Sequence, residues 1–162
     1  MEIVNRILLV GLSNEFVRFI SMRLSGKIGY YYLDVESLLE YSIIDRLKMR
    51  EICGVKYLEE QEKKIILSLN DYEKTVMSMK LETFMANYNN LKENNLIVYV
   101  AIDKKQIGEL NNFLKSEYQT ETVINELLFN EHDKFLKKNC DFIVNCDINN
   151  IDESFSDLIS KF

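Results

Sequence analysis

The chain has 162 residues and a mass of 19.2 kDa, the size of one ordinary domain. With 47% hydrophobic, 28% charged and 11% aromatic residues, it carries too much apolar material for a disordered chain and too much charge for a membrane protein. Twenty Lys and Arg stand against 26 Asp and Glu, a net charge of -6, so no overall positive field gathers nucleic acid or anionic lipid.

Arg6 to Gly11 (RILLVG) reads as a strand buried on both faces of a parallel sheet. Ser13 or Asn14 then caps a helix carrying Phe16, Phe19, Ile20 and Leu24 at helical spacing, with Gly26 and Gly29 as stops. Tyr30 to Leu33 is predicted as strand two, and Val35 to Leu69 as a long helical excursion broken at Gly54. Lys74 to Met79 is the third strand, Glu82 to Asn94 a helix, and Leu96 to Ile102 (LIVYVAI) the strongest strand signal in the chain. Asp103 caps a helix through Leu114, a polar stretch covers Ser116 to Thr122, and Val123 to Lys138 is helical again. Asp141 to Cys146 is strand five, and Asp152 caps a closing helix with Phe155, Leu158, Ile159 and Phe162 on one face.

Strands that are hydrophobic throughout and alternate with helices predict right-handed crossovers and a five-stranded parallel sheet covered on both sides, a three-layer α/β/α architecture. No Pro occurs, Gly is sparse, and no linker composition interrupts residues 1–162, so a single domain is expected. The apolar runs are far below the ~18 residues of a membrane span, and the first residues lack a signal-peptide pattern. Cys53, Cys140 and Cys146 are odd in number and lack metal-site spacing, which predicts core cysteines in a reducing cytoplasm. His132, between Glu131 and Asp133, reads as a surface residue, and Lys63-Lys64 and Lys104-Lys105 as solvated faces.

In such a sheet the first strand-to-helix turn is where ligands gather. It reads Gly11-Leu12-Ser13-Asn14-Glu15-Phe16-Val17-Arg18, where the phosphate loop G-x-x-x-x-G-K-S/T of a small nucleotide kinase would sit. From about residue 5 onward the chain resembles the shikimate kinase family. LLVG ends strand one, and Tyr31-Tyr32-Leu33-Asp34-Val35-Glu36 is similar to the family's aromatic-x-D-x-D segment. Gly54 to Glu62 is similar to its G-E-x-x-F-R-x-x-E helix. NNLKENNLIVYVAID resembles the helix and strand before its lid, and NEHDKFLKKNCDFIVN its N-E-R-x-x-x-Y-x-x-x-A-D helix and last strand.

The resemblance implies a shikimate kinase-like P-loop fold, and its departures fall on the functional positions. Phe16 stands at the second glycine of the loop, Val17 at the phosphate-neutralising lysine and Arg18 at the hydroxyl that helps hold magnesium. Glu15 places a carboxylate where an anion would dock, while Ser13 and Glu15 are expected to satisfy the helix-start amides internally. Glu59 and His132 match the arginines that bind the shikimate carboxylate, and Lys80-Leu81-Glu82 matches a glycine triplet. With no Pro and no Arg after Arg50, the family's arginine-bearing lid has no counterpart. Asp34 and Glu36 match the two family aspartates and Glu62 the helix glutamate. Asp34 either faces the crevice or caps the following helix.

The expectation is therefore a shikimate kinase-like protein with a degraded phosphate loop, catalytically inactive, using neither cofactor nor metal and acting through an unidentified protein partner, not nucleic acid or membrane. The alternative is a genuine shikimate kinase, phosphorylating shikimate with ATP and magnesium in aromatic amino-acid biosynthesis through a site rebuilt by Lys27, Lys56 or Lys80. A third possibility gathers Asp34, Glu36 and Glu62 around a metal.

Overall fold

A computed structural model describes residues 4–118, 124 and 126–162. Five strands, β1 (Arg6–Gly11), β2 (Tyr31–Asp34), β3 (Thr75–Ser78), β4 (Leu96–Ile102) and β5 (Phe142–Cys146), form one parallel sheet in the order β2-β3-β1-β4-β5. The helices are α1 (Asn14–Ile28), α2 (Val35–Ser42), α3 (Arg46–Cys53), α4 (Val55–Ser68), α5 (Leu81–Leu91), α6 (Ile107–Tyr118), α7 (Glu126–Asn139), α8 (Ile151–Ser154) and α9 (Ser156–Ile159).

Strand alternation sorts the side chains into two cores, since successive residues point to opposite faces. Ile7, Leu9, Val98, Val100 and Ile102 pack beneath α1, α6 and α9 with Phe16, Ile20, Leu110 and Leu158. Leu8, Val10, Ile97, Tyr99 and Ala101 pack on the other face with Leu39, Ile66, Phe84 and Leu136. With β1 between β3 and β4, the chain leaves β1 for β2 on one side and crosses from β3 to β4 on the other, so the strand order reverses beside the carboxyl end of β1. Crevices in open α/β sheets form at such a point.

Several boundaries differ from the sequence expectation for local reasons. The helical excursion breaks twice, at Gly54 and at residues 43–45, where Asp45 takes a left-handed φ of 55° and its carboxylate accepts from the Lys48 amide at 3.0 Å. Ser13, not Asn14, caps α1. The helix runs through Gly26 and ends at Gly29, whose φ of 71° a side chain would resist. Residues 116–118 belong to α6, and the start of the next predicted helix at Val123 lies outside the described residues.

Asp152 does not cap a closing helix. It sits inside the short α8, and its carboxylate is taken by Arg23 at 2.6 Å and Lys27 at 2.8 Å. Cys146 is buried as expected, whereas Cys53 is exposed at the end of α3, a helix with no buried residue. Among the described residues no helix is long and apolar enough to cross a membrane.

Candidate functional site

At the carboxyl end of β1 only Leu12 and Ser13 separate strand from helix. The Ser13 hydroxyl accepts from the Phe16 amide at 3.3 Å, and the Val17 amide donates to the Ser13 carbonyl at 3.0 Å. Amides that a phosphate loop would turn toward a ligand are thus consumed in starting the helix early. Glu15 lines the adjoining crevice but takes no part in this cap.

The side chains of the turn are core. Phe16 and Val17 are each 1% exposed. Phe16 meets Phe19 and Phe113 at ring distances of 6.4 and 6.0 Å, joining α1 to α6. A Cβ on Gly11 would lie 2.8 Å from the Val17 Cγ2 and 3.2 Å from the Val100 carbonyl. The glycine is therefore required by hydrocarbon packing at a place where the resemblance implies phosphate.

Arg18 reaches across the crevice, its guanidinium 3.2 Å from the Asp34 carboxylate, which is only 10% exposed. The register puts Asp34 beside Ser78. Ser78 Oγ lies 3.4 Å from Asp34 Oδ1 and 2.9 Å from the Tyr32 hydroxyl, and Ser37 donates to Asp34 Oδ2 at 2.7 Å. Burial holds the Tyr32 phenol above its ordinary pKa. Asp34 occupies the cap position of α2 without making the cap bond, so its carboxylate faces Arg18.

Glu36 is 8% exposed, and its Oε1 accepts from Thr83 Oγ1 at 2.6 Å and the Lys80 amide at 3.3 Å. Asn14 Oδ1 accepts from the Leu81 amide at 3.3 Å. These bonds draw the start of α5 onto the crevice, leaving a space of about 40 Å³, against ~300 to 1,000 Å³ for a small-molecule site.

The structure brings together Asn14, Glu15, Arg18, Asp34, Glu36 and Lys80. It does not bring in the others. Glu62 is paired with Arg46 between α3 and α4, Glu59 is exposed on α4, and His132 is half-buried on α7. The acids Asp34, Glu36 and Glu62 thus have separate partners, and among the described residues no group of three His, Cys, Asp or Glu is placed to hold a metal ion. Of the lysines considered for a rebuilt site, Lys80 lines the crevice, Lys27 is bound to Asp152, and Lys56 is not among the crevice residues.

A second, wider cavity of about 630 Å³ opens at the carboxyl ends of β4 and β5, with Asp103, Lys104, Phe129, Asp133, Lys137 and Asp147 in its wall. The buried Tyr99 hydroxyl donates to Asp133 at 2.6 Å, and Lys137 pairs with the same carboxylate at 2.8 Å. Lys104 sits 5.9 Å above the Phe129 ring. Sequence reading did not find this cluster; the four-residue spacing of Asp133 and Lys137 was its one visible signal.

No family model and no curated protein matches the chain. Solved structures do. A shikimate kinase from Bacteroides thetaiotaomicron superposes with a TM-score of 0.64 at 15% identity, covering 97% of both chains. That from Aquifex aeolicus gives 0.64 at 20% identity, covering 96% of this chain and 95% of the other.

The fold is shikimate kinase-like.

A gluconokinase from Sinorhizobium meliloti also shares it, with a TM-score of 0.58 at 10% identity, covering 99% of this chain and 94% of the other. The shikimate kinase-like fold therefore spans different substrates and cannot choose among them. The residues at the start of α1 do not fit the phosphate loop that the resemblance implies: Phe16 and Val17 are core hydrocarbon, and Arg18 is a cation paired with Asp34 where the resemblance implies an oxygen ligand to magnesium.

Proposed function

We propose that this shikimate kinase-like protein does not transfer phosphoryl groups and acts by binding a protein partner. One observation carries the reading: the turn after β1 is built into the core, with Val17 buried against Gly11. Losing one preorganised charge stabiliser commonly costs ~10²- to 10³-fold in rate; here the lysine, the hydroxyl and the glycine cradle are replaced together. The three free cysteines suit a reducing cytoplasm.

The test mixes purified protein with ATP, magnesium and shikimate and follows both turnover and melting temperature. The expected result is no phosphoryl shikimate and no shift at millimolar ATP. Turnover near ~1 s⁻¹, the low end for kinases, defeats the proposal.

Lys80 at the crevice favours a second reading, a shikimate kinase whose site is rebuilt around that residue. It requires ATP at a hundred times its dissociation constant to stabilise the fold by about 2.7 kcal/mol, and a flat melting curve removes it.

A further inference from the structure

Among the described residues Glu36 is the only charged one that is buried. Both of its hydrogen bonds, from the Thr83 hydroxyl and the Lys80 amide, end on Oε1. Its other oxygen, Oε2, accepts no hydrogen bond among the described residues. Every ion pair among them goes to another acid, Asp34, Glu62, Asp133 or Asp152. A carboxylate taken out of water loses its solvation, so buried charges in proteins are paired or hold ions. Glu36 lacks a cation inside its own chain.

The crevice that Glu36 lines limits what can approach it. Its space of about 40 Å³ exceeds the ~10 to 15 Å³ that one water needs, yet it falls far below a metabolite site. Only a head group of a few heavy atoms fits.

The wall selects the charge. Glu15, Asp34 and Glu36 stand against Arg18 and Lys80, but Arg18 is committed to Asp34 and Lys80 is exposed. Water would bond to Oε2 and leave the charge buried, whereas a cation that donates hydrogen bonds meets both demands. A metal ion is poorly served, since no group of three His, Cys, Asp or Glu among the described residues is placed to hold one. A guanidinium is a wide planar fork, while an ammonium is a compact charge with three donors.

We propose that the crevice seats a primary ammonium group against Oε2 of Glu36. A free small amine and a lysine of another protein share this chemistry. The inference does not depend on whether the chain transfers phosphoryl groups.

Methylammonium chloride is titrated into the full chain, with tetramethylammonium chloride at equal ionic strength as the control. Nuclear magnetic resonance follows the Lys80 and Thr83 amides and the Glu36 carboxyl carbon. A saturable shift is expected with methylammonium and none with tetramethylammonium, which is larger and has no N–H. Glu36→Gln should weaken the response roughly tenfold or more; the two-salt comparison on the wild type stands even if that variant loses structure. Lys80→Ala, which removes a like charge, should tighten binding about twofold. A lysine peptide and its fully acetylated form separate the sources: a stronger response to the unblocked peptide than to methylammonium assigns the group to a protein, and the reverse assigns it to a free amine. The proposal is overturned by a wild type without saturable response, an equal response to both salts, binding that survives Glu36→Gln or appears only in Lys80→Ala, or a Glu36 carboxyl that is protonated at about pH 7.

Discussion

The two ends of α1 are held by different forces. At its start Phe16 and Val17 are buried, and Arg18 closes on an Asp34 that is 10% exposed. At its far end Arg23 and Lys27 share the carboxylate of Asp152, and all three side chains stand well into solvent. The first end is the turn where the resemblance implies ligand chemistry, and it has been turned over to packing. The second is a surface clasp between α1 and α8. A packed end tolerates almost no chemical change, while a charged surface end should respond mainly to pH and salt.

The largest test introduces the lysine that the resemblance implies at position 17. Val17→Lys places a long side chain and its ammonium at a position 1% exposed, against Gly11. Burying an unpaired charge while overfilling the site should destabilise by about 4 kcal/mol or more, read from the denaturant midpoint. A loss below about 0.5 kcal/mol, within the range of surface substitutions, would mean that the turn can open toward solvent and that the packing view of this end is wrong.

Glu36 tests the same end from the β2 side. Glu36→Ala removes the acceptor shared by the Thr83 hydroxyl and the Lys80 amide. Unpaired buried donors cost about 1 to 3 kcal/mol, and the crevice should widen beyond its present 40 Å³. Glu36→Gln keeps an acceptor oxygen and should lose less in the same denaturation measurement. Equal losses in the two variants would show that charge, not hydrogen bonding, holds α5 in place.

Much of the fold was legible because the strands are hydrophobic on both faces. Ile7 to Val10 and Ile97 to Ile102 could belong to no other kind of sheet, and both lie where expected. The break at Asp45 was not legible, since a left-handed backbone is uncommon at any single non-glycine residue and leaves no periodic signal in the sequence.

In the site, the apolar character of Phe16 and Val17 was plain from their identity. The ion pair of Arg18 with Asp34 was not, because it depends on the order of β2 and β3 and on how far a long side chain reaches. Glu62 matched a family residue by spacing, yet Arg46 took it away from the crevice. The misplacement of Asp152 has the same origin: Arg23 and Lys27, one turn apart on a helix distant in sequence, outbid a local cap.

That clasp gives the smallest effect and the clearest sign. Hydrogen bonds from Arg23 first, then from Lys27, hold the Asp152 carboxyl well below the usual carboxylate range. A carboxylate depressed in the folded state binds protons less tightly there than in the unfolded chain. Its contribution to stability is therefore present above the ordinary Asp value of about 3.9 and is lost as pH falls below it toward the folded-state value. Because the groups are solvated, the gain is modest and salt-screened. Melting curves of the wild type and Asp152→Asn should differ at neutral pH and low salt, and converge below about pH 4. A difference that persists unchanged into acid would mean that Asp152 works by its shape in packing α8, and the contrast between the two ends of α1 would no longer be one of packing against charge.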